Sequence, residues 1–306
     1  MAGSQRIYKQ KIRATKTLEK VFRAMELIAA SRIGKARDRA LGQDPYTQAL
    51  TRSIGTVAAH AHEDHPLIKE RTDTNRVIVF VVTSDRGMAG AYSSSVLREA
   101  ERLINELKEN GKEPVLYVSG RRGASYFRFR GVPVERVWTG ESDKPSDETS
   151  DEISTEFLTR FLADADDGGV AELYMIFTRF VSMVTQTVQV RRMLPIQVVD
   201  DVDDLGETSV DDKSPEDNEP LYEFEPSAQQ VFDELLPMYV GQRIHSVMLM
   251  SAASELAARQ QAMHSATENA GEVIESYTRL ANNARQAEIT TEITEIISGA
   301  DSLGKS

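Results

Sequence analysis

Apolar positions recur every three or four residues in the first stretch of the chain. Before Pro45 there is no proline, and four apolar residues fall at helix spacing: Leu18, Val21, Met25 and Ile28. Such spacing places side chains on one face of a helix. We predict a helix over residues 1–60, weakened locally by Gly34 and Gly42, with this apolar stripe packed against another helix.

The pattern changes over residues 75–199, where short apolar runs alternate with helical stretches. Residues 77–82 are all apolar, which is typical of a buried parallel strand. Further strands are predicted at residues 115–118, 132–138, 172–178 and 186–199, separated by helices that end near residues 110, 129 and 163. The alternation predicts an α/β domain with a small doubly wound, Rossmann-like sheet.

Residues 226–298 read as one long helix. Pro237 should kink or break it, and beyond that residue about 60 helix-compatible residues would extend roughly 90 Å. A heptad-like seam fits this stretch, and many of its members are alanine: Leu249, Ala252, Leu256, Arg259, Met263, Ala266, Ala270, Val273, Tyr277, Leu280, Ala284 and Ala287. We predict a coiled coil with the N-terminal helix, thin enough to enter a channel in another protein.

Charge is distributed unevenly along the chain, whose net charge is −12. Residues 1–39 carry a net charge of +8, and residues 200–219 carry −9. The basic segment has three interpretations: a nucleic-acid-binding arm, a targeting peptide or the solvated face of a helix. Residues 200–220 are acidic and nearly free of large apolar residues, so we predict a mobile surface loop there.

Cysteine is absent, which excludes disulfides and cysteine-based zinc sites. The six-residue run 77–82 is the longest apolar run, and six residues cannot span a bilayer, which needs about 20. The histidines His60, His62 and His65 lie close together beside acidic residues, but no second ligand group accompanies them, and we predict a solvated loop without metal.

Motifs typical of catalysis are missing. The chain contains neither a phosphate-binding P-loop nor a nucleophile elbow. Gly87 and Gly90 lie in a turn between a strand and a helix, where a nucleotide phosphate could bind, but a tight turn needs glycine in any case. We predict no cofactor.

Arg259 stands out because it occupies a seam position otherwise filled by small or apolar residues. A buried arginine needs a carboxylate or carbonyl partner, unless its side chain reaches the edge of the rod. We weigh an acidic loop of a surrounding protein as that partner. Gln286, Thr290 and Glu292 add polar groups further along the same helix, where they are either contacts or ordinary surface residues.

Several segments together resemble one family. Residues 289–302, Ile-Thr-Thr-Glu-Ile-Thr-Glu-Ile-Ile-Ser-Gly-Ala-Asp-Ser, fit the signature of γ subunits of F-type ATP synthases. Residues 265–270 and 283–287 are also typical of that family. Residues 24–31 are similar to its first helix, and residues 84–92, Ser-Asp-Arg-Gly-Met-Ala-Gly-Ala-Tyr, resemble its middle turn, although Met88 and Ala89 stand where leucine and cysteine are usual.

The resemblance implies an antiparallel coiled coil of the N- and C-terminal helices with the α/β domain at its foot. It implies a non-catalytic rotor that transmits torque between a membrane ring of c subunits and a catalytic hexamer of α and β subunits, with subunit ε at the foot. Met25, Arg259, Gln286, Thr290 and Glu292 match positions that meet the hexamer. A bacterial protein, peripheral at the cytoplasmic face of the plasma membrane, is expected.

Two other functions remain as alternatives. An enzyme would use the Gly87–Gly90 turn for a nucleotide and would need a pocket with convergent polar groups. A nucleic-acid-binding protein would use the basic N-terminal segment and would bind in a salt-dependent manner.

Overall fold

A computed structural model describes residues 2–42, 44–58, 66–196, 224–225 and 227–303. The acidic loop predicted at 200–220 and the histidines His60, His62 and His65 lie outside these residues. Within them, two long helices from opposite ends of the chain pack together and meet a five-stranded sheet.

The N-terminal segment is helical on both sides of residue 43, which lies outside the described residues. Helix α1 spans Ala2–Gly42 and α2 spans Asp44–Ala58. Gly34 lies inside α1 without ending it.

The sheet contains strands β1 (Arg76–Val82), β2 (Glu113–Ser119), β3 (Arg136–Trp138), β4 (Glu172–Phe180) and β5 (Gln186–Leu194). Their order is β3-β2-β1-β4-β5, and only β5 runs antiparallel to its neighbour, β4. Strand β3 is shorter than the predicted 132–138: Pro133 lacks a backbone N–H, and pairing with β2 begins only at Arg136.

Helices cover both faces of the sheet, as predicted for a doubly wound fold. Helices α3 (Tyr92–Glu109) and α4 (Arg121–Phe129) pack on one face, where Leu103 and Phe127 join the core. Helix α5 (Asp147–Leu162), α2 and the first part of α6 cover the other face, around an aromatic cluster of Phe80, Tyr117, Trp138 and Phe157.

Helix α6 is continuous over Ala228–Leu303, so the break considered at Pro237 is wrong. A proline inside a helix removes one backbone hydrogen bond. Phe232, Leu236 and Val240 are fully or almost fully buried around it, and their packing against the sheet offsets that loss.

Helices α1 and α6 pack antiparallel. Ala40 packs beside Leu249 and Ile33 beside Leu256, whereas the ring of Tyr8, near the other end of α1, lies 6.3 Å from the ring of Tyr277. The antiparallel pairing implied by the resemblance is thereby confirmed. We call α1 with residues 249–303 of α6 the rod, and β1–β5 with α3–α5 the foot.

The stripe predicted on α1 is on the wrong face. Leu18, Val21 and Ile28 are 51 %, 47 % and 54 % exposed, and only Met25 of the four is half-buried. Ala29, Ile33 and Ala40 form the buried seam instead. Both series have helix spacing, so periodicity alone did not show which one faces α6.

The seam predicted on α6 is correct near the foot, and further out every second predicted member is displaced by one residue. Leu249, Leu256, Arg259, Met263 and Ala270 are buried. Of the outer predicted members, Tyr277 and Ala284 are half-buried as predicted, whereas Val273, Leu280 and Ala287 are exposed. Their places in the seam are taken by the next residues, Ile274, Ala281 and Glu288. At these places, successive positions of the seam are therefore four residues apart, whereas the predicted spacing was three.

Candidate functional site: the rod and its junction with the foot

Helix α6 crosses the carboxyl ends of β1 and β4, where doubly wound folds usually bind a ligand. Ser254 donates a hydrogen bond to the Thr178 carbonyl at the end of β4, and the Tyr92 hydroxyl donates to the Ser251 carbonyl. A side chain at Gly90 would meet Ala262 at 3.7 Å. The rod thus contacts the glycine turn at Gly90, whereas Gly87 has open space around it.

Asp85 joins three segments beneath this crossing. One carboxylate oxygen accepts hydrogen bonds from the backbone N–H groups of Gly140 and Ser142, and the other accepts from the N–H of Arg121, the first residue of α4. The Asp85 N–H in turn donates to the Ser142 hydroxyl at 2.8 Å. This aspartate of the middle motif therefore holds the loop after β3 against the start of α4.

Arg259, the seam anomaly, has partners within the chain. Its guanidinium donates to the Glu255 carboxylate at 2.6 Å and to the Arg86 carbonyl at 3.4 Å, and its side chain is 7 % exposed. Glu255 is almost completely buried. Burial raises the pKa of the Glu255 carboxyl above its usual range, and the charge of Arg259 opposes that shift.

The N-terminal helix reaches the same junction through an ion pair. Arg32 on α1 lies 2.7 Å from Asp143, which belongs to the loop held by Asp85. Since the arginine is about half exposed, the pair contributes little to stability by itself. The ion pair shows that α1 and α6, the two helices of the rod, contact the foot at the same position along the rod.

A cavity of about 380 Å³ remains between α3, β5 and α6. Its polar lining consists of Ser95, Gln186, Gln261 and Ser265 with Tyr92 and Thr178. The described residues around it include no carboxylate, histidine, lysine or arginine, and Tyr92 is buried with its pKa raised by desolvation. These groups offer neither a general base nor a metal ligand set.

At its other end, the rod continues as one helix. Tyr8 lies opposite Tyr277, so the start of α1 at Ala2 falls opposite about residue 284. We call residues 285–303 the rod tip; it extends roughly 28 Å past α1. Isoleucines at four positions of the tip are 44–71 % exposed: Ile289, Ile293, Ile296 and Ile297.

Three of the predicted contact residues belong to the rod tip. Gln286, Thr290 and Glu292 are exposed. The Thr290 hydroxyl already donates to the Gln286 carbonyl at 2.9 Å, so it is free only to accept a further hydrogen bond.

Met25 and Arg259 lie at a different level from these three. Glu26, the neighbour of Met25, contacts His264 of α6 at 3.0 Å. From residue 264 to residue 286 the helix rises about 33 Å. The structure therefore divides the five predicted residues into a group near the foot and a group at the tip.

Sequence reasoning missed the residues that join rod and foot. Glu255 was detectable, because a glutamate four residues before an arginine in a helix is a known stabilising pair. Tyr92 and Asp85 lie inside the quoted middle motif, yet its sequence does not reveal that α6 contacts it. The pairing of Arg32 with Asp143 depends on tertiary structure and leaves no sequence signal.

Comparisons with known proteins agree with this architecture. A family model described as ATP synthase matches residues 4–303. The ATP synthase gamma chain of Beutenbergia cavernae is 55 % identical over 306 residues, with all of both chains covered. The chain belongs to the ATP synthase gamma chain family.

A second gamma chain and two solved structures are also similar to this chain. The gamma chain of Bifidobacterium adolescentis is 49 % identical, with 99 % of both chains covered. Among solved structures, the rotor of the Euglena gracilis mitochondrial ATP synthase covers 94 % of this chain with a TM-score of 0.65 at 13 % identity. The central stalk and c-ring structure from Tetrahymena thermophila contains a chain that matches with a TM-score of 0.55 at 19 % identity, covering 80 % of this chain and 99 % of that one. These two similarities concern the fold.

Two further kinds of feature are absent from the described residues. No group of three or more His, Asp or Glu side chains there is arranged to hold a metal ion. None of the described helices combines the length and apolar character that crossing a membrane requires.

Proposed function

We propose that this chain is the central rotor of an F-type ATP synthase and transmits torque without an active site of its own. The proposal is supported most strongly by the geometry of the rod. It is joined to the foot by buried polar contacts at one end, and it extends as one exposed helix at the other. A shaft needs both properties, because torque must pass through the joint while the far end turns inside a partner.

The rod tip supports insertion into a narrow apolar channel. Ile293 and Ile296 are 52 % and 71 % exposed, and an exposed series of large apolar side chains is typical of a surface that contacts another protein. The partner proposed for the tip is the hexamer of α and β subunits. Gln286, Thr290 and Glu292 would supply polar contacts within that channel, and Met25 a contact nearer its entrance.

Arg259 acts differently in this proposal. Its guanidinium is bound to Glu255 and to the Arg86 carbonyl, so we assign it to the joint between rod and foot rather than to direct contact with the hexamer. The foot would contact the c-ring and subunit ε. In a bacterium the complex would be peripheral at the cytoplasmic face of the plasma membrane.

The position of α6 beside the glycine turn supports the non-catalytic part of the proposal. An enzyme that uses a doubly wound sheet needs an open crevice at the carboxyl ends of its strands. Here α6 lies across that crevice, with Ser254 bonded to Thr178 and Ala262 over Gly90. Removing the rod to admit a nucleotide would break these contacts.

Affinity purification of the tagged chain from detergent-solubilised membranes tests the proposal, with mass spectrometry of the proteins recovered. We expect α, β, ε and c subunits together with ATPase activity. A nuclease-treated sample and cells that express the tag alone are the controls. Recovery of the chain alone, or of nucleic acid that nuclease removes, would contradict the rotor function.

A further inference from the structure

One face of helix α4 is exposed along its whole length. Arg121, Arg122, Ser125, Arg128 and Phe129 recur at helix spacing, and all five are exposed. The opposite face contributes Gly123 and Phe127 to the core. We call the five exposed residues the α4 stripe; over eight steps of the helix it is about 12 Å long.

Phe129 is the most exposed large apolar side chain among the described residues, at 89 %. Phe127, two residues earlier, is 1 % exposed and already anchors α4 to the sheet. The fold therefore does not need Phe129 in the core. An aromatic ring held on a regular helix and surrounded by solvent is typical of a residue that inserts into a partner.

Two of the three arginines of the stripe carry charge that no described carboxylate neutralises. Within the described part of the chain, Arg122 and Arg128 have no carboxylate within 4 Å, and Arg121 lies 3.9 Å from Asp85. Arg130 is excluded from the stripe because it pairs with Glu101 at 2.9 Å. Helix α4 contains no acidic residue although the chain as a whole has a net charge of −12. The stripe is thus a local basic surface on an acidic protein.

The direction of α4 favours a protein over a membrane as the partner. The helix begins at the carboxyl ends of the strands, where the Arg121 N–H meets Asp85, and it returns along β2 toward their amino ends. The carboxyl ends face the rod, as the contact of Ser254 with Thr178 shows. The stripe therefore runs along the side of the foot, and a flat bilayer beyond the amino ends would meet only its Phe129 end.

We propose that the α4 stripe is a docking surface for an acidic protein surface that has an apolar hollow for the Phe129 ring. Charge complementarity selects this partner, because arginines recognise carboxylates with geometric specificity. The inference rests on the proposed function in one respect, because the partner is expected to belong to the ATP synthase complex.

Site-specific photo-crosslinking tests the docking directly. A benzophenone amino acid replaces Phe129, and a matched control places it at Leu162, which is 53 % exposed and belongs to α5 on the opposite face of the sheet. Both complexes are purified from membranes, irradiated and digested. We expect one adduct specific to position 129, on a peptide of another subunit that carries aspartate or glutamate.

A charge-reversal pair then tests the electrostatic part. Arg122→Glu with Arg128→Glu should lower the yield of that adduct at least tenfold, whereas Arg122→Lys with Arg128→Lys should retain most of it. Lipid adducts, an absence of adducts specific to position 129, or an adduct insensitive to charge reversal would overturn the docking surface. Recovery of α and β subunits with the unmodified chain is scored separately and reports only on the rotor function.

Discussion

The Glu255 carboxylate accepts a hydrogen bond from the Arg259 guanidinium at 2.6 Å, one turn further along the same helix. This pair lies where the rod crosses the foot, and Arg259 also reaches the Arg86 carbonyl of the middle motif. A residue that interrupts the apolar seam of the rod thereby becomes part of the joint. The relationship links a sequence anomaly to the mechanical role that we propose.

Removing one member of the pair should be costly. Arg259→Ala leaves Glu255 buried without its cation, and we expect the chain to lose about 3–5 kcal/mol of unfolding free energy. Urea unfolding of the purified chain measures the loss. In the double variant Glu255→Leu, Arg259→Leu no charge is left buried, and most of the stability should return. A double variant as unstable as Arg259→Ala would show that the pair is not the cause.

Two glycines should respond to alanine in opposite directions. Gly120 has φ +100°, and an added Cβ would lie 2.2 Å from the Thr83 carbonyl oxygen. Gly120→Ala should destabilise by more than about 2 kcal/mol, since left-handed backbone alone costs about 1–2 kcal/mol. Gly34→Ala lies inside α1 with open space around it, and it should stabilise by up to about 1 kcal/mol. Thermal unfolding of both variants measures the two changes in stability. Equal changes would contradict the backbone geometry described at Gly120 and Gly34.

His245 should make the fold sensitive to mild acid. Burial lowers the pKa of His245 below 6.5, against the attraction of Asp147 and Asp151, and its Nδ1 lies 2.8 Å from the Ser150 hydroxyl. The unfolded chain therefore binds a proton more readily, and stability should fall as the pH drops below 6.5, by at most about 1.4 kcal/mol per pH unit. The melting temperature of His245→Asn should depend less on pH over that range. Identical pH profiles would contradict this assignment.

The sequence predicted the fold well where one signal dominated. The run 77–82 became the central strand β1, and the alternation of strands and helices became the two-faced sheet. It was harder to predict which face of a helix is buried. On α1 the series with Leu18 and the series with Ile33 both fit a helix, and only the position of α6 decides between them.

For the same reason, only some residues of the candidate site could be predicted from the sequence. The motifs indicated Arg259 and the residues of the tip, but they did not reveal Glu255 or the contact of the middle turn with α6. Residues that join separate segments, such as Asp85 and Asp143, acquire partners only through tertiary structure. Their role is visible from contacts and not from spacing.

Met25 offers a test of the coupling between ATP hydrolysis and proton pumping, rather than of the stability of the fold. The residue is half-buried on α1, and Met25→Lys would place a charge at the level proposed to meet the hexamer. We expect ATP-driven proton pumping in membrane vesicles to fall more than ATP hydrolysis does. Ala24→Lys, a change to an exposed neighbour, adds the same charge and serves as the control. Unchanged pumping in Met25→Lys would contradict the proposed contact.

Rotation of the foot is the most direct test of the central claim. Because the chain contains no cysteine, Lys108→Cys at the exposed end of α3 provides a single attachment point for a bead. The complex with α and β subunits is fixed to glass through the hexamer and observed with ATP. We predict continuous rotation in one direction that stops when ATP is removed. A bead that stays fixed while the same complexes hydrolyse ATP would contradict the function of this chain as a rotor.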